Sequence, residues 1–173
     1  MFVPQFGKQN LISEIVLNIH MKSILTDLGV ASCLVRNNQI LLVKEAAGPQ
    51  KGLWGIPKGS VDKGELPYRA AVRELKEECG INGSVIGLVG VRECLIQNLP
   101  AVFLAYLIDC ESSKIIIDKK EIEDFGWFNM NDFDSLRWIS EAMKEIAAEA
   151  IIGRSRKLID YSEERGSDYL LYL

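Results

Sequence analysis

Histidine is nearly absent: His20 is the single one among 173 residues. A zinc site of ordinary ligand type draws on histidines and paired cysteines, and here it has too few donors. Cys33, Cys79, Cys94 and Cys110 stand far apart with no C-x-x-C pair. In apolar contexts such as Ala31-Ser32-Cys33-Leu34-Val35 they read as reduced, buried thiols of a cytoplasmic protein. The first residues, Met1 to Gln5, lack a basic region followed by an apolar stretch, so no signal peptide is expected. No run approaches the roughly 18 apolar residues of a membrane span. Positive charge is not in excess either: 20 Lys and Arg against 24 Asp and Glu leave a net charge of −4. A protein that coats nucleic acid needs the opposite balance, although a local basic pocket for a phosphorylated small molecule is still compatible. Internal repeats, low-complexity tracts and Pro/Ser-rich linkers are missing as well.

What is present is one domain's worth of core. Apolar residues make up 48% and charged residues 25% of the chain, which is close to the globular average. Residues 11–25 carry apolar positions at helical spacing and read as an N-terminal helix or extension. The runs Val30 to Val35 and Ile40 to Val43, separated by Arg36-Asn37-Asn38-Gln39, predict a β-hairpin. A glycine-rich loop from Gly48 to Gly64 follows. Pro67 then opens a helical pattern that stops at Gly80, the usual placement of proline and glycine at helix ends. Strand patterns occupy 84–95, 101–109, 114–118 and 122–128. An amphipathic helix is expected from Asp132 to Ile152, and Tyr169 to Leu173 suit an edge strand or a docked tail. Strands in the middle with helices around them make the class α+β.

The helix from Pro67 to Cys79 holds the chemistry. At 100° per residue Tyr68, Val72, Leu75 and Cys79 form one stripe that can pack on a sheet. Glu74, Glu77 and Glu78 share an adjacent arc, because positions i, i+3 and i+4 lie on one face. Three carboxylates stacked there repel one another. A solvated acidic face balanced by Arg69, Arg73 and Lys76 is one way to tolerate this. A divalent cation taking their hard oxygens as ligands is the other, with magnesium or manganese best suited. The glycine-rich loop directly before the helix favours the cation.

Loop and helix together read Gly59-x5-Glu65-x7-Arg73-Glu74-Leu75-x-Glu77-Glu78-x-Gly80-Ile81. This resembles the signature of the Nudix (MutT-like) hydrolases at every specified position. A random chain of this length would match it on the order of once in ten million. A looser likeness covers about residues 29–140, including Trp54-Gly55-Ile56-Pro57-Lys58-Gly59 before the motif and Trp127-Phe128 after it.

The resemblance implies an αβα sandwich with a mixed β-sheet. The expected division is a 1–28 extension, a hydrolase domain over 29–152 and a 153–173 segment packed on that domain. It implies a magnesium- or manganese-dependent hydrolase that cleaves the pyrophosphate of a nucleoside diphosphate linked to another moiety. Glu74, Glu77 and Glu78 would bind the metal, with the Gly59 carbonyl adding a ligand. Arg73 would orient the glutamates, and Glu65 would support the loop–helix geometry. Glu121, six residues before Trp127, is the candidate for a further acidic residue, with Glu123 in reserve. Glu74 and Glu121 both qualify as the general base. Among Lys44, Lys51, Lys58 and Lys63, the residues best placed to meet substrate phosphates are Lys44 and Lys58. Trp54 would stack on a base or anchor its loop to the core.

The partner implied is a small nucleotide, a nucleotide sugar or a dinucleoside polyphosphate, with no membrane and no nucleic acid; many relatives form homodimers. Some dinucleoside polyphosphate hydrolases have a tyrosine 16–18 residues beyond the motif, where this chain has Gln97, Asn98 and Leu99. ADP-ribose pyrophosphatases often carry a proline where Ile96 stands. A non-catalytic nucleotide-binding module and an RNA 5′-end pyrophosphohydrolase are the competing functions. The first commonly lacks the glutamates present here, and the second needs a basic track.

Overall fold

The computed structural model describes residues 25–111 and 114–173; the helix or extension expected over 11–25 lies, Leu25 apart, outside the described residues. The elements begin with β1 (Asp27–Arg36), β2 (Gln39–Glu45), β3 (Trp54–Gly55), β4 (Lys58–Ser60) and α1 (Pro67–Cys79). They continue with β5 (Ser84–Ile96), β6 (Leu99–Asp109), β7 (Ile122–Phe128), α2 (Glu141–Ile151), β8 (Arg156–Asp160), α3 (Ser162–Arg165) and β9 (Leu170–Tyr172). Among the described residues no helix is long and apolar enough to cross a membrane.

Two asparagine-bearing turns set the strand layout. Asn37 and Asn38 have φ of 49° and 59°, and Gln97 and Asn98 have 51° and 65°. Asparagine tolerates this left-handed region better than most side chains, and two such residues make the tight turn that matches strand twist. The first turn joins β1 to β2, as the run pattern predicts. The second fuses the strands expected over 84–95 and 101–109 into one long hairpin.

β1 and β2 stay paired only beside their turn, Val35 opposite Ile40 and Arg36 opposite Gln39. β2 then continues against β3 and β7. β1 takes β6 in parallel on one side and β4 on the other, with Val30 opposite Gly59. The sheet is therefore mixed, and its splayed middle puts β4 where a longer β2 partner would otherwise run. At the far edge β8 pairs with β5 and β9 with β8.

Side chains of successive strand residues point to opposite faces, and two cores result. Val30, Leu34, Leu41, Val43, Tyr106 and Ile108 pack against Ala70, Ala71, Leu75 and Cys79 of α1. Ala31, Cys33, Ile40, Leu42 and Ala105 pack on the other side against Met143, Ala147 and Ala150 of α2. This is an αβα sandwich, the architecture that the motif implies. Ala70 and Ala71 let α1 approach closely, and the buried Ser32 hydroxyl donates to the Ala71 carbonyl at 2.7 Å.

Three segments depart from expectation. Residues 114–118 form no strand: the Ile116 and Asp118 N–H groups instead donate to the Cys79 and Glu78 carbonyls at 2.8 and 3.1 Å. Those carbonyls end α1 and need donors, so the segment serves as a helix cap. Gly80, at φ 69°, lies where an added Cβ would meet Ile116 at 3.1 Å. The helix expected over 132–152 begins only at Glu141. Before it, Asn129 and Asp132 form a reciprocal cap around a 3-10 turn, Met130–Ser135, and Ser140 caps α2 itself. The glycine-rich loop, finally, contains β3 and β4, and β8 arises in a stretch with no clear strand pattern.

The Ser32 hydrogen bond yields a test. Ser32→Ala leaves the buried Ala71 carbonyl with one partner fewer. It is expected to lower stability by about 1–2 kcal/mol, measured by urea unfolding, with α1 still in place by circular dichroism.

Candidate functional site

The turn of α1 that carries the glutamates faces β4, and the two are tied at three successive points. The Lys58 N–H donates to Glu78 Oε2 at 3.1 Å. The Ser60 carbonyl accepts from Arg73 Nη2 at 2.9 Å. Between them Gly59 lies so close that an added Cβ would fall 1.9 Å from the Glu74 carboxyl carbon. No side chain fits at 59 without displacing Glu74.

Arg73 is the hub of the acidic cluster. Its guanidinium forks onto Glu65, with Nε and Nη2 at 3.1 and 2.9 Å from the two carboxylate oxygens. Its Nη1 reaches Glu74 at 2.8 Å and Glu77 at 3.1 Å. Such charge-assisted forks fix both partners. The Arg73 hydrogen bond holds the Glu65 carboxyl below its usual range, and Glu65 in turn accepts from the Asp62 N–H at 3.2 Å. Glu65 therefore braces the loop against the helix, the role the motif implies for it.

On Glu74 and Glu78, burial and like charge act together against the neighbouring cations. Glu74 is pushed above the usual carboxyl range by burial first, with Glu77 and Glu121 adding to the rise and Arg73 opposing it. Glu78 is only 4% exposed. Burial pushes it up to about 8, Lys58 opposes, and Glu45 and Glu74 add further repulsion. The Lys58 ammonium sits 2.6 Å from Glu45 Oε1 in a largely buried pair.

Glu121 thus stands within electrostatic reach of Glu74, and its carbonyl accepts from the Ala46 N–H at 2.8 Å. Glu123 is turned away, paired with Lys44 at 2.7 Å on the surface. Trp54 packs edge-on against Phe128, with ring centroids 4.9 Å apart, and pairs its backbone with the segment before α2. It occupies the loop-anchoring position. Sequence reasoning missed Glu45, although it follows Lys44 directly: strand alternation puts Glu45, not Lys44, beside Lys58.

Among the described residues no three acidic, cysteine or histidine side chains already converge as a metal cage; Arg73 spreads Glu65, Glu74 and Glu77 around itself. The donor set nevertheless fits a hard divalent cation. It is all oxygen, it is partly desolvated, and the mutual repulsion of Glu74, Glu78 and Glu121 is only partly relieved by Arg73 and Lys58. A cleft of about 340 Å³ opens beside Lys58, Gly59 and Ser60 and runs along Phe103, Arg92 and the start of α2.

Residues 26–150 match the family model described as the NUDIX domain. The ADP-ribose pyrophosphatase of Methanocaldococcus jannaschii is 34% identical over 122 residues, which make up 66% of this chain and 72% of that one. The RNA pyrophosphohydrolase of Azorhizobium caulinodans is 42% identical over 69 residues, 38% of this chain and 40% of the relative. Among solved structures, a MutT NUDIX hydrolase from Burkholderia pseudomallei superposes with a TM-score of 0.64 at 28% identity. That match covers 72% of this chain and 98% of the other.

Glu78 makes stability depend on pH. Its carboxyl titrates near 4.5 when solvated and at about 8 in the fold, so the folded state holds the proton more tightly. Stability present below the lower value is lost as pH rises through the upper one. In chelator, urea melts at about pH 5 and about pH 8 should show this fall. Glu78→Gln, neutral throughout, should flatten it; an equal slope in both proteins would assign the effect elsewhere.

Proposed function

The chain belongs to the Nudix family, and on that premise we propose that it hydrolyses the pyrophosphate bond of a nucleoside diphosphate linked to another moiety. One observation carries this reading: Glu74, Glu77 and Glu78 share a turn of α1 facing a strand whose Gly59 leaves no room for a Cβ. Glu74, Glu77, Glu78 and the Gly59 carbonyl oxygen are the groups that would hold a magnesium or manganese ion. When bound, such an ion would neutralise charge on the phosphate oxygens.

The chain's own residues divide the remaining work. Arg73 keeps the carboxylates from springing apart and binds the Ser60 carbonyl, holding β4 against the acidic turn. Water attacks phosphorus, the bridging P–O bond breaks, and the water's proton passes to a carboxylate. Glu74 and Glu121 are the candidates for that base. Burial and the Glu121 charge raise the proton affinity of Glu74, which suits it to accept one. Glu121 takes precedence over Glu123, because Lys44 holds the latter at the surface. Both lysines are paired, Lys58 with Glu45 and Lys44 with Glu123; Lys58 lines the cleft and is the better placed of the two to meet phosphate.

The substrate is a small nucleotide derivative. The net charge of −4 and a cleft of single-nucleotide size favour that over an RNA chain.

With magnesium and a panel of nucleotide sugars, dinucleoside polyphosphates and nucleoside triphosphates, Glu77→Gln and Glu78→Gln should each lose at least ~100-fold in kcat. Retained turnover in both would remove the metal-site assignment. Absence of wild-type turnover on every substrate, with nucleotide binding intact, would identify a binding module instead.

A further inference from the structure

Arg92 on β5 lines the cleft and takes no part in the glutamate cluster. Its guanidinium lies over the Phe103 ring, 5.3 Å from the centroid. Its Nε is buried without a hydrogen-bond partner. Among the described residues its side chain makes no hydrogen bond or ion pair. Arg73, by contrast, takes four partners and Lys58 is neutralised by Glu45. A guanidinium held over an aromatic ring with its buried Nε left without an acceptor is a costly arrangement in the absence of a ligand. It is also a preorganised one, since the stacked guanidinium has few orientations left to lose.

The surroundings of Arg92 narrow what it receives. Arg92 and Gly59 line the same cleft, and Ile96, Ile139, Met143 and Ile146 supply its apolar lining. A phosphate pressed among these apolar side chains would lose its hydration with Arg92 in return, because Lys58 of the same cleft is already paired with Glu45, and Asp27 in the same cleft would repel it. A flat, neutral heteroaromatic ring meets the apolar walls without that penalty. A guanidinium edge selects the ring that presents two acceptors side by side, the O6 and N7 edge of a 6-oxopurine. An adenine offers N7 beside an amino group, which turns a donor toward a donor.

We propose that Arg92 is the specificity-determining residue of this cleft and selects substrates whose base is a 6-oxopurine, guanine or hypoxanthine. The inference rests on the hydrolase reading only in that the base would lie in the cleft while the pyrophosphate lies at Gly59.

The test uses the nucleoside monophosphates that hydrolysis would leave behind, so that binding is read without turnover. Calorimetry on the full chain with guanosine, inosine and adenosine 5′-monophosphates should show the first two binding about tenfold more tightly than the third. Arg92→Met, which keeps the stem over Phe103, should bring all three within about twofold. Arg92→Lys, which keeps the charge and loses the fork, should do the same, and the wild-type ranking stands as a measurement whether or not either variant folds. Equal binding of adenosine and guanosine monophosphates to the wild type would overturn the proposal. So would a guanosine preference that survives Arg92→Met. Ribose 5-phosphate losing as much affinity as guanosine monophosphate in Arg92→Met would overturn it too, by making Arg92 a phosphate contact. Magnesium-dependent hydrolysis with no base preference would sink this inference alone, whereas base-selective binding without hydrolysis would sink only the hydrolase reading.

Discussion

Repulsion among carboxylates is the constraint around which the α1 face of this molecule is arranged. Glu74, Glu77 and Glu78 occupy one turn, and two of them are largely withdrawn from water, where like charges interact most strongly. Arg73 and the β4 backbone supply the opposing attraction. That requirement propagates outward. Arg73 needs Glu65 and the Ser60 carbonyl to hold its plane, Lys58 needs Glu45, and position 59 must lack a side chain. The small residues Ala70 and Ala71, with the Ser32 bond, seat the far side of the helix so that its acidic side stays fixed against the loop.

The sheet contributes by separating tasks. β1 is paired on both sides, and its residues alternate between the α1 core and the α2 core. The early parting of β1 and β2 creates the seam into which β4 fits. β4 is only three residues long, yet it exchanges hydrogen bonds with α1, one in each direction, and pairs with β1 at the same time. A loop tethered in this way is held in register with the helix rather than free to hinge.

Legibility in the sequence followed the range of the forces involved. Glu74, Glu77 and Glu78 were readable because the 3.6-residue period alone places them together, and the paired asparagines of the β1–β2 turn were readable because their strain is local. β3 and β4 were not, since two- and three-residue strands exist only through their tertiary partners. The 114–118 run has the composition of a strand, but its donors are consumed by the end of α1. The shortened α2 reflects competition from the Asn129–Asp132 cap, a polar exchange that apolar periodicity does not register. Glu45 was hidden because the two neighbours Lys44 and Glu45 differ only in which face they take. Arg92 carried no signal at all: its meaning comes from Phe103, eleven residues away across a hairpin.

The placement of Gly59 has a consequence for how such a chain diversifies. One side of its strand meets the glutamates, where every substitution disturbs several charges at once. The other side borders a cleft whose lining includes residues of β5, β6 and α2, Arg92, Ile96, Phe103, Met143 and Ile146 among them, that stand apart from the acidic turn. Drift in the wall residues can exchange one guest molecule for another while bond cleavage keeps its geometry. Selection then acts on taste and on reactivity as separate traits, divided by the thickness of a single peptide plane.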